Sequence, residues 1–300
     1  MPAALTHYSF ALLVLDEIKD IDKDAFILGT QGPDPFFYRG ILKKGRPSNY
    51  KQIWQIGEDL HHNDVSSVYI AMLEKAKGDK KLSSFVYGLF LHYCLDKAVH
   101  PYVFYRSGFD ESGGLNGRFK YNHGAFEALL DVKVSKILGT YKNPGKTINT
   151  KSLDLDRISS LFSQYNHPDL NESTYKESLL DFIHIEKVLF SRSGLKRIVF
   201  RCTGKYSLAM AMSYPHFYKR ADYFDVMNFK KQTWLDPVTL EEHNDSIIDL
   251  FIKAKKDFVS IYPSLVSIDE KKIKQYCSVL DHDGTPFGKR KTKYSLCFKQ

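Results

Sequence analysis

The residues best suited to do chemistry interrupt an apolar stripe in the segment 85–100. At successive spacings of four, three, four and four, this segment carries Phe85, Leu89, His92, Asp96 and His100. Residues at these spacings lie on one face of a helix, so the face expected to be buried turns from apolar to polar along its length. A buried carboxylate costs several kcal/mol unless it is paired or bound to a metal. Because no Arg or Lys occupies the stripe, the counter-charge that we expect is a metal cation.

The segment 121–138 carries a second pair of the same kind. His123 and Glu127 are four residues apart and share a helix face. Imidazole nitrogen and carboxylate oxygen are both ligands that Zn²⁺ accepts. One such pair occurs by chance in many helices, and a lone His on an apolar face is usually a core residue. Native proteins nevertheless avoid several uncompensated polar groups in one core. The two segments together predict a metal site, and Lys133 is expected on the outer face of the second segment.

The elements that must position these residues have a helical period. Apolar residues recur three and four apart, and strand patterns are confined to short pieces such as 294–298. Pro101 should end the helix that carries the stripe. Besides a first helix that contains Leu5, Tyr8 and Leu12, helices are expected at about 50–76, 82–99, 121–138, 153–163, 172–190, 194–213 and 244–260, with a loop at 29–47. The pattern predicts an all-α fold, a multi-helix bundle enclosing a multinuclear metal site.

The composition limits the classes of protein to which the chain can belong. Its 300 residues, 43% hydrophobic and 26% charged, are ordinary for a globular protein with a substantial core. No apolar run approaches the roughly 20 residues of a membrane-spanning helix. The apolar N-terminus lacks the basic region and cleavage site of a signal peptide. The net charge of +8 is spread over both halves and gives modest support for phosphate-bearing partners. The basic run at 288–293 is expected to be a solvated tail.

The cysteines argue against a thiolate metal site. They are widely separated and form no Cys-x-x-Cys pair, at Cys94, Cys202, Cys277 and Cys297. This spacing is typical of reduced thiols, so we expect a cytoplasmic protein.

Five short motifs, in a fixed order, resemble a known family. They are Thr-His at 6–7, Gly-Thr-Gln-Gly-Pro-Asp-Pro at 29–35, Leu-His at 60–61, Gly-Leu-Phe-Leu-His-Tyr-Cys-Leu-Asp at 88–96 followed by His-Pro-Tyr at 100–102, and His-Gly-Ala-Phe-Glu at 123–127. In this order they resemble the bacterial zinc-dependent phospholipase C family, whose all-α fold is shared with zinc-dependent single-strand nucleases. The resemblance extends over residues 1–131, and Trp-Leu-Asp-Pro at 234–237 is similar to a later region of the family.

The resemblance implies two to three zinc ions within a single domain over residues 1–300. Residues 1–138 would supply the metal-ligand helices, and residues 139–300 would complete the bundle. The implied ligands of the first zinc are Asp34, His61, His92 and Asp96, and those of the second are His100, His123 and Glu127. A third, partial site would consist of His7 and Asp96, with Asp96 bridging to the first. His62 is left outside this set.

The resemblance also implies hydrolysis of a phosphodiester, possible substrates including phospholipids, by a zinc-activated water that attacks phosphorus. Asp34 lies between prolines in a loop, so it is expected to be both a ligand and the candidate general base; its alternative role is to cap a turn. In choline-specific members, aromatic residues stand where this chain has Pro35 and Glu58, so phosphatidylcholine is not the expected substrate.

Two other functions stay open at this stage. A nuclease or nucleotidase on the same fold would need aromatic stacking surfaces beside a basic groove. The aromatic candidates are Phe36, Phe37, Tyr38, Tyr102 and Tyr105, although aromatic residues at such spacings are more often core. The other alternative is a zinc-stabilised helical protein that binds partners without turnover, for which Asp34 would have no purpose. No stable complex with nucleic acid is expected.

Overall fold

Helices dominate the structure, a computed structural model that describes residues 4–41, 46–191, 195–202 and 222–292. The α-helices are α1 (Ala4–Val14), α2 (Lys23–Gly29), α3 (Tyr50–His62), α4 (Ser66–Ala76), α5 (Lys80–Ser107), α6 (Arg118–Ile137), α7 (Leu155–Leu161), α8 (Thr174–Leu189), α9 (Leu195–Cys202), α10 (Ile247–Val266) and α11 (Glu270–Cys277). Two-residue strands β1 (Trp234–Leu235) and β2 (Glu242–His243) form an antiparallel pair. The all-α prediction is confirmed.

Helix α5 is the longest described element and packs against α2, α4, α6 and α10. Its closest neighbour is α2, because two glycines remove the side chains at the crossing. A Cβ on Gly88 would lie 2.1 Å from the carbonyl oxygen of Phe26, and a Cβ on Gly29 would lie 2.1 Å from that of Phe85. Any side chain at either position would therefore force the two helices apart.

The prediction that Pro101 ends the stripe helix is wrong. Helix α5 continues to Ser107 and stops at Gly108, whose φ is +79°. Proline has no N–H for the carbonyl of Lys97, so the helix loses one hydrogen bond there. Gly284, from a loop near the C-terminus, covers this point: a Cβ on it would lie 2.6 Å from the Lys97 oxygen. The helix is therefore continuous at a point where local sequence rules predict an end, and a tertiary contact covers that point.

The other helix boundaries were partly predicted. The helix expected at 50–76 is two helices, since Asn63 is extended and the Asp64 carboxylate accepts a hydrogen bond from the Ser66 amide at 2.8 Å. The expected loop at 29–47 contains a 3₁₀ turn, Asp34–Tyr38. Helices α2 and α11 were not predicted. Of the helix expected at 194–213, α9 is described, and the strand-like piece at 294–298 lies outside the described residues.

Two basic residues lie in surroundings that the sequence did not suggest. Lys133 was expected on the outer face of α6, but it is buried and forms an ion pair with Asp222. Lys291, from the basic run expected to be solvated, contacts Asp283 at 2.7 Å with only 9% of its side chain exposed. Within the described ranges, no helix combines the length and apolar character needed to cross a bilayer.

Candidate metal centre

The structure brings all eight predicted ligand residues together in buried groups. In each group, the candidate ligand atoms lie within 4.8 Å of one another. The groups are His7, His92 and Asp96; Asp34, His61 and His92; and His100, His123 and Glu127. The group of His100, His123 and Glu127 has the residues implied for the second site. The other two groups differ from the implied sites in the residue they share, which is His92 and not Asp96. That these residues bind metal stays a prediction.

Helix α5 forms the centre of this arrangement because its three polar residues repeat every fourth position. The Nε2 atom of His92 lies 2.9 Å from Asp96 Oδ2, and Nε2 of His100 lies 3.9 Å from Asp96 Oδ1. Helix α6 contributes the other i, i+4 pair, with His123 Nε2 3.2 Å from Glu127 Oε1. Glu127 Oε1 also lies 3.7 Å from His100 Nε2. The two helix faces identified from spacing therefore meet.

The first turn of α1 places His7 over the same carboxylate. Its Nε2 lies 3.1 Å from Asp96 Oδ1, and its ring stacks on that of His92 with 4.2 Å between centroids. Asp131 of α6, which the sequence analysis missed, fixes this turn. Its carboxylate accepts hydrogen bonds from the amides of Leu5 and Thr6 at 3.1 and 2.8 Å. A buried acceptor of this kind satisfies the free N–H groups that begin a helix.

Asp34 reaches the centre as the first residue of the 3₁₀ turn, not from an irregular loop. Its Oδ1 lies 3.3 Å from His61 Nε2. The preceding residues pass so close to His92 that only glycine fits at position 32. Gly32 has φ of +59°, and a Cβ there would lie 2.3 Å from the His92 ring. The Gly-Pro-Asp-Pro sequence is therefore more than a turn signal, because it shapes the approach of a carboxylate.

Four of the histidines contact an oxygen through the ring nitrogen that faces away from the carboxylates, as metal-bound histidines usually do. Each faces the carboxylates with Nε2, while its Nδ1 contacts a separate oxygen. These contacts join His61 to the Gly57 carbonyl at 2.7 Å, His92 to the Thr30 carbonyl at 3.1 Å, His100 to the His282 carbonyl at 3.0 Å, and His123 to the Ser107 hydroxyl at 3.2 Å. Metal-bound histidines nearly always donate their second N–H to such a group, which fixes the tautomer and the ring orientation.

The Nε2 atoms of His61 and His92 and the Oδ1 atom of Asp34 are buried. Although they lie close to other candidate ligand atoms, none of these contacts among the described residues has the geometry of a hydrogen bond. Buried polar atoms without a hydrogen-bond partner are rare in native structures, and several that face one another are the pattern expected of metal ligands. These atoms also face one another within a single group. The donor set therefore fits a bound cation.

The carboxylates and histidines of the centre strongly affect one another's pKa values. Burial by itself would raise the pKa values of the carboxyls, but the surrounding histidines hold the pKa of Asp96 well below its usual range. The pKa of Glu127 is lowered to about 2 against the effect of burial, and contacts with His123 and His100 contribute to this lowering. All three carboxylates, including Asp34, are thus ionised at neutral pH. Deprotonated carboxylates are the form that a metal requires.

A loop near the C-terminus completes the centre and was not predicted as part of it. The amide of His282 donates to the His61 carbonyl at 3.0 Å, and Asp283 Oδ1 lies 3.3 Å from His100 Nδ1. The Asp281 carboxylate closes the loop by accepting from the amides of Asp283 and Thr285. The Asp-His-Asp-Gly sequence at 281–284 was the available signal, a turn sequence rich in metal-ligating types.

His62, left outside the predicted set, lies at the mouth of the centre. Its imidazole contacts Glu58 at 3.3 Å, Asp281 at 3.5 Å and Asp283 at 3.8 Å. Burial opposes the charged form, but the hydrogen bonds that His62 donates to the Asp281 and Glu58 carboxylates raise the pKa of His62 to about 10. His62 is thus a cation at neutral pH.

One face of the centre opens onto a cavity of about 450 Å³. His61, His100, His123 and Glu127 form part of its wall, and the cationic side chains of His62, Lys120 and Lys291 line it as well. Aromatic rings from Phe37, Trp54 and Phe104 complete the walls. A cavity of this size holds a small organic molecule. These four candidate ligands are therefore accessible to a small molecule and are not sealed in the core.

Comparisons with known proteins assign the chain to no group. No family model, no curated protein and no solved structure matches it. What the geometry supports directly is that several buried groups of His, Asp and Glu could hold metal ions. The function has to be inferred from the chemistry of these groups and of the cavity beside them.

Proposed function

We propose that this chain is a zinc-dependent phosphodiester hydrolase of the phospholipase C type. The observation that carries the proposal is the opening of one ligand group, His100, His123 and Glu127, onto a cavity with cationic side chains in its wall. A purely structural metal site would be closed by protein ligands, whereas a catalytic site keeps an accessible position.

Zinc is the proposed metal because of the donor types. Each group combines imidazole nitrogen with carboxylate oxygen, a combination that suits Zn²⁺ better than the oxygen-seeking ions Mg²⁺ and Ca²⁺. The buried cysteines Cys94 and Cys277 belong to none of the groups, so a thiolate site does not compete. When bound, zinc would lower the pKa of water to near neutrality and stabilise negative charge on the phosphoryl oxygens.

The residues of the chain would supply orientation and charge. Burial opposes the ionised form of Asp34, but its pKa lies below its usual value, and the contact with His61 is one of the interactions that lower it. It can therefore accept a hydrogen bond from the attacking water, and it is the candidate to take the proton. On the open side, Lys120 and protonated His62 would attract the phosphate and offset its charge.

A nuclease or nucleotidase is the second candidate, and the aromatic walls of the cavity favour it. Phe37 and Trp54 pack edge to face, with 5.5 Å between ring centroids, beside Lys120. Aromatic rings next to basic side chains can bind bases by stacking. Of the aromatic residues named from the sequence, Phe37 has this position; Phe36, Tyr38 and Tyr102 are buried in the core. Trp54 was missed.

The test of the proposed function replaces Asp34 by asparagine. Asn preserves the size and the turn-forming tendency of Asp, while it removes the charge that orients water and takes the proton. Hydrolysis of bis-p-nitrophenyl phosphate by the zinc-loaded protein should fall by about 10²–10⁴. Circular dichroism should be unchanged, and most of the zinc should stay on the other groups.

The matched control is Asp20→Asn. Asp20 is exposed and has a positive φ of 56°, a conformation that Asn tolerates well. The Asp20→Asn variant should hydrolyse the diester at the same rate as the unaltered protein. Equal activity in both variants would remove Asp34 from the mechanism. Absence of hydrolysis in the zinc-loaded unaltered protein, across lipid, nucleotide and aryl diesters, would favour the non-catalytic helical bundle.

A further inference from the structure

A second cavity, of about 490 Å³, adjoins the cavity at the metal centre. The two share Phe37, Trp54 and Lys120 as lining residues, so they lie on either side of these three side chains. Their charges differ. The metal-centre cavity contains the carboxylates of Glu58 and Glu127, whereas no described Asp or Glu lines the second cavity.

The second cavity has four basic side chains, and one of them is already neutralised. Arg39 pairs with Glu177 at 2.5 Å and with Asp181 at 2.8 Å. The others, Arg46, Lys51 and Lys120, form no ion pair with a carboxylate of the described residues. Three uncompensated cations around one cavity raise the local concentration of anions.

Two of these cations lie against aromatic rings that hold them in place. The Arg46 guanidinium carbon is 4.6 Å from the centroid of the Tyr50 ring, and Lys120 Nζ is 5.2 Å from that of Trp54. The Trp54 ring is itself fixed by its edge-to-face contact with Phe37. Cation–π contacts orient a charged group without neutralising it. The cations therefore stay available for an anionic ligand.

We propose that the second cavity, lined by Arg46, Lys51 and Lys120, is a subsite for a second phosphate group of the substrate. Arg and Lys are the usual partners of phosphate, Arg through paired N–H donors and Lys as a point charge. This proposal rests on the proposed phosphodiester hydrolysis: the diester lies at the metal centre, and a phosphate monoester elsewhere on the same molecule lies in the subsite. Lys120, common to both cavities, faces both groups.

The test compares substrates that differ only in the second phosphate. The nucleotide pair is p-nitrophenyl thymidine 5′-phosphate with and without a 3′-phosphate. The lipid pair is phosphatidylinositol 4-phosphate and phosphatidylinositol in mixed micelles. In the zinc-loaded protein, the extra phosphate should lower KM by about tenfold in one pair. This is the change expected from one net hydrogen bond between a charged side chain and the phosphate. The pair that responds identifies the source of the phosphate, and no response in either pair overturns the subsite.

Charge reversal then locates the effect. In Lys51→Glu and Arg46→Glu, the advantage of the second phosphate should disappear. Lys253→Glu, at an exposed position of α10, changes the net charge equally and should keep the advantage. If Lys253→Glu reduces it as much as Lys51→Glu does, the effect is one of overall charge and the subsite is refuted.

A binding measurement separates this proposal from the proposed function. Isothermal titration of the zinc-loaded protein with thymidine 3′,5′-bisphosphate and with thymidine 5′-phosphate requires no turnover. About tenfold tighter binding of the bisphosphate, lost in Lys51→Glu, supports the subsite even if no diester is hydrolysed. Equal binding of the two nucleotides, together with no response in the lipid pair, would refute it.

Discussion

Asp283→Asn should weaken metal binding through His100, although Asp283 belongs to none of the three ligand groups. Asp283 Oδ1 lies 3.3 Å from His100 Nδ1, on the side of the ring opposite to the candidate metal-binding nitrogen. A carboxylate in this position increases the basicity of the histidine and fixes its ring. Loss of such a partner typically costs 10–100-fold in metal affinity, or about 1.4–2.7 kcal/mol. The His282 carbonyl stays as a second acceptor at 3.0 Å, so the lower end of this range is expected.

The same substitution has an effect on stability that must be separated from the metal. Lys291 contacts Asp283 at 2.7 Å, and its side chain is only 9% exposed. Removing one member of a buried ion pair costs about 3–5 kcal/mol when the other charge is left unpaired. Asn can still accept a hydrogen bond, so the cost should be smaller. Replacing Lys291 by Met as well removes the stranded charge and should restore most of the lost stability.

Four proteins separate the effect on metal affinity from the effect on stability: the unaltered chain, Asp283→Asn, Lys291→Met and the double variant. Zinc affinity is measured by competition with a chromogenic chelator, and the free energy of unfolding by urea titration with excess chelator. The affinity should fall on Asp283→Asn whether or not Lys291 is present. Only the metal-free stability should be rescued in the double variant. If the double variant recovers the affinity of Lys291→Met, Asp283 acts through the lysine charge and the orientation argument fails.

The other consequences of the proposed centre can be measured on the same protein. It should carry roughly two to three zinc ions, and chelation should lower Tm because metal binding is coupled to folding; absence of zinc with an unchanged Tm would contradict this. Glu127→Gln should reduce zinc content, since a neutral amide is a poor zinc ligand. The control is Lys136→Ala, at an exposed position of the same helix, which should change the unfolding free energy by less than ~0.5 kcal/mol. Gly32→Ala should displace the His92 ring, because the added Cβ would lie 2.3 Å from it; full zinc content in this variant would show that the loop can move aside. Phosphatidylcholine should not be the fastest lipid substrate, because the resemblance implies that choline-specific enzymes have an aromatic residue at the position of Glu58. A headgroup panel tests this directly.

Spacing alone could predict the parts of the centre that share one helix face, whereas His7, Asp34 and His61 were predicted through the ordered motifs and the resemblance they carry. Within a helix, residues four apart share a face, so His92 and Asp96, and likewise His123 and Glu127, were assigned before any tertiary structure was known. The absence of Arg and Lys from the stripe then pointed to a metal. Nothing in this reasoning depends on how the helices pack.

The parts that could not be predicted depend on contacts between distant segments. Pro101 should have ended its helix, but packing of Gly284 against the Lys97 carbonyl surrounds the gap in the hydrogen-bond ladder. Asp131 could not be identified from the sequence, because its carboxylate accepts hydrogen bonds from the first turn of α1 only in the folded chain. Lys133 was assigned to the surface from its charge, whereas its partner Asp222 lies in a distant segment of the chain. Local rules fail where a tertiary partner compensates the local cost.

Asp96 shows why the three groups are better regarded as one centre than as three sites. Its two oxygens lie within 3.9 Å of the Nε2 atoms of His7, His61, His92 and His100. These histidines come from three separate helices, so a single carboxylate connects α1, α3 and α5 at one buried point. A cation held by any of these histidines also changes the charge that the others experience through Asp96. If metal ions bind here as proposed, occupancy in one group would be coupled to occupancy in the others.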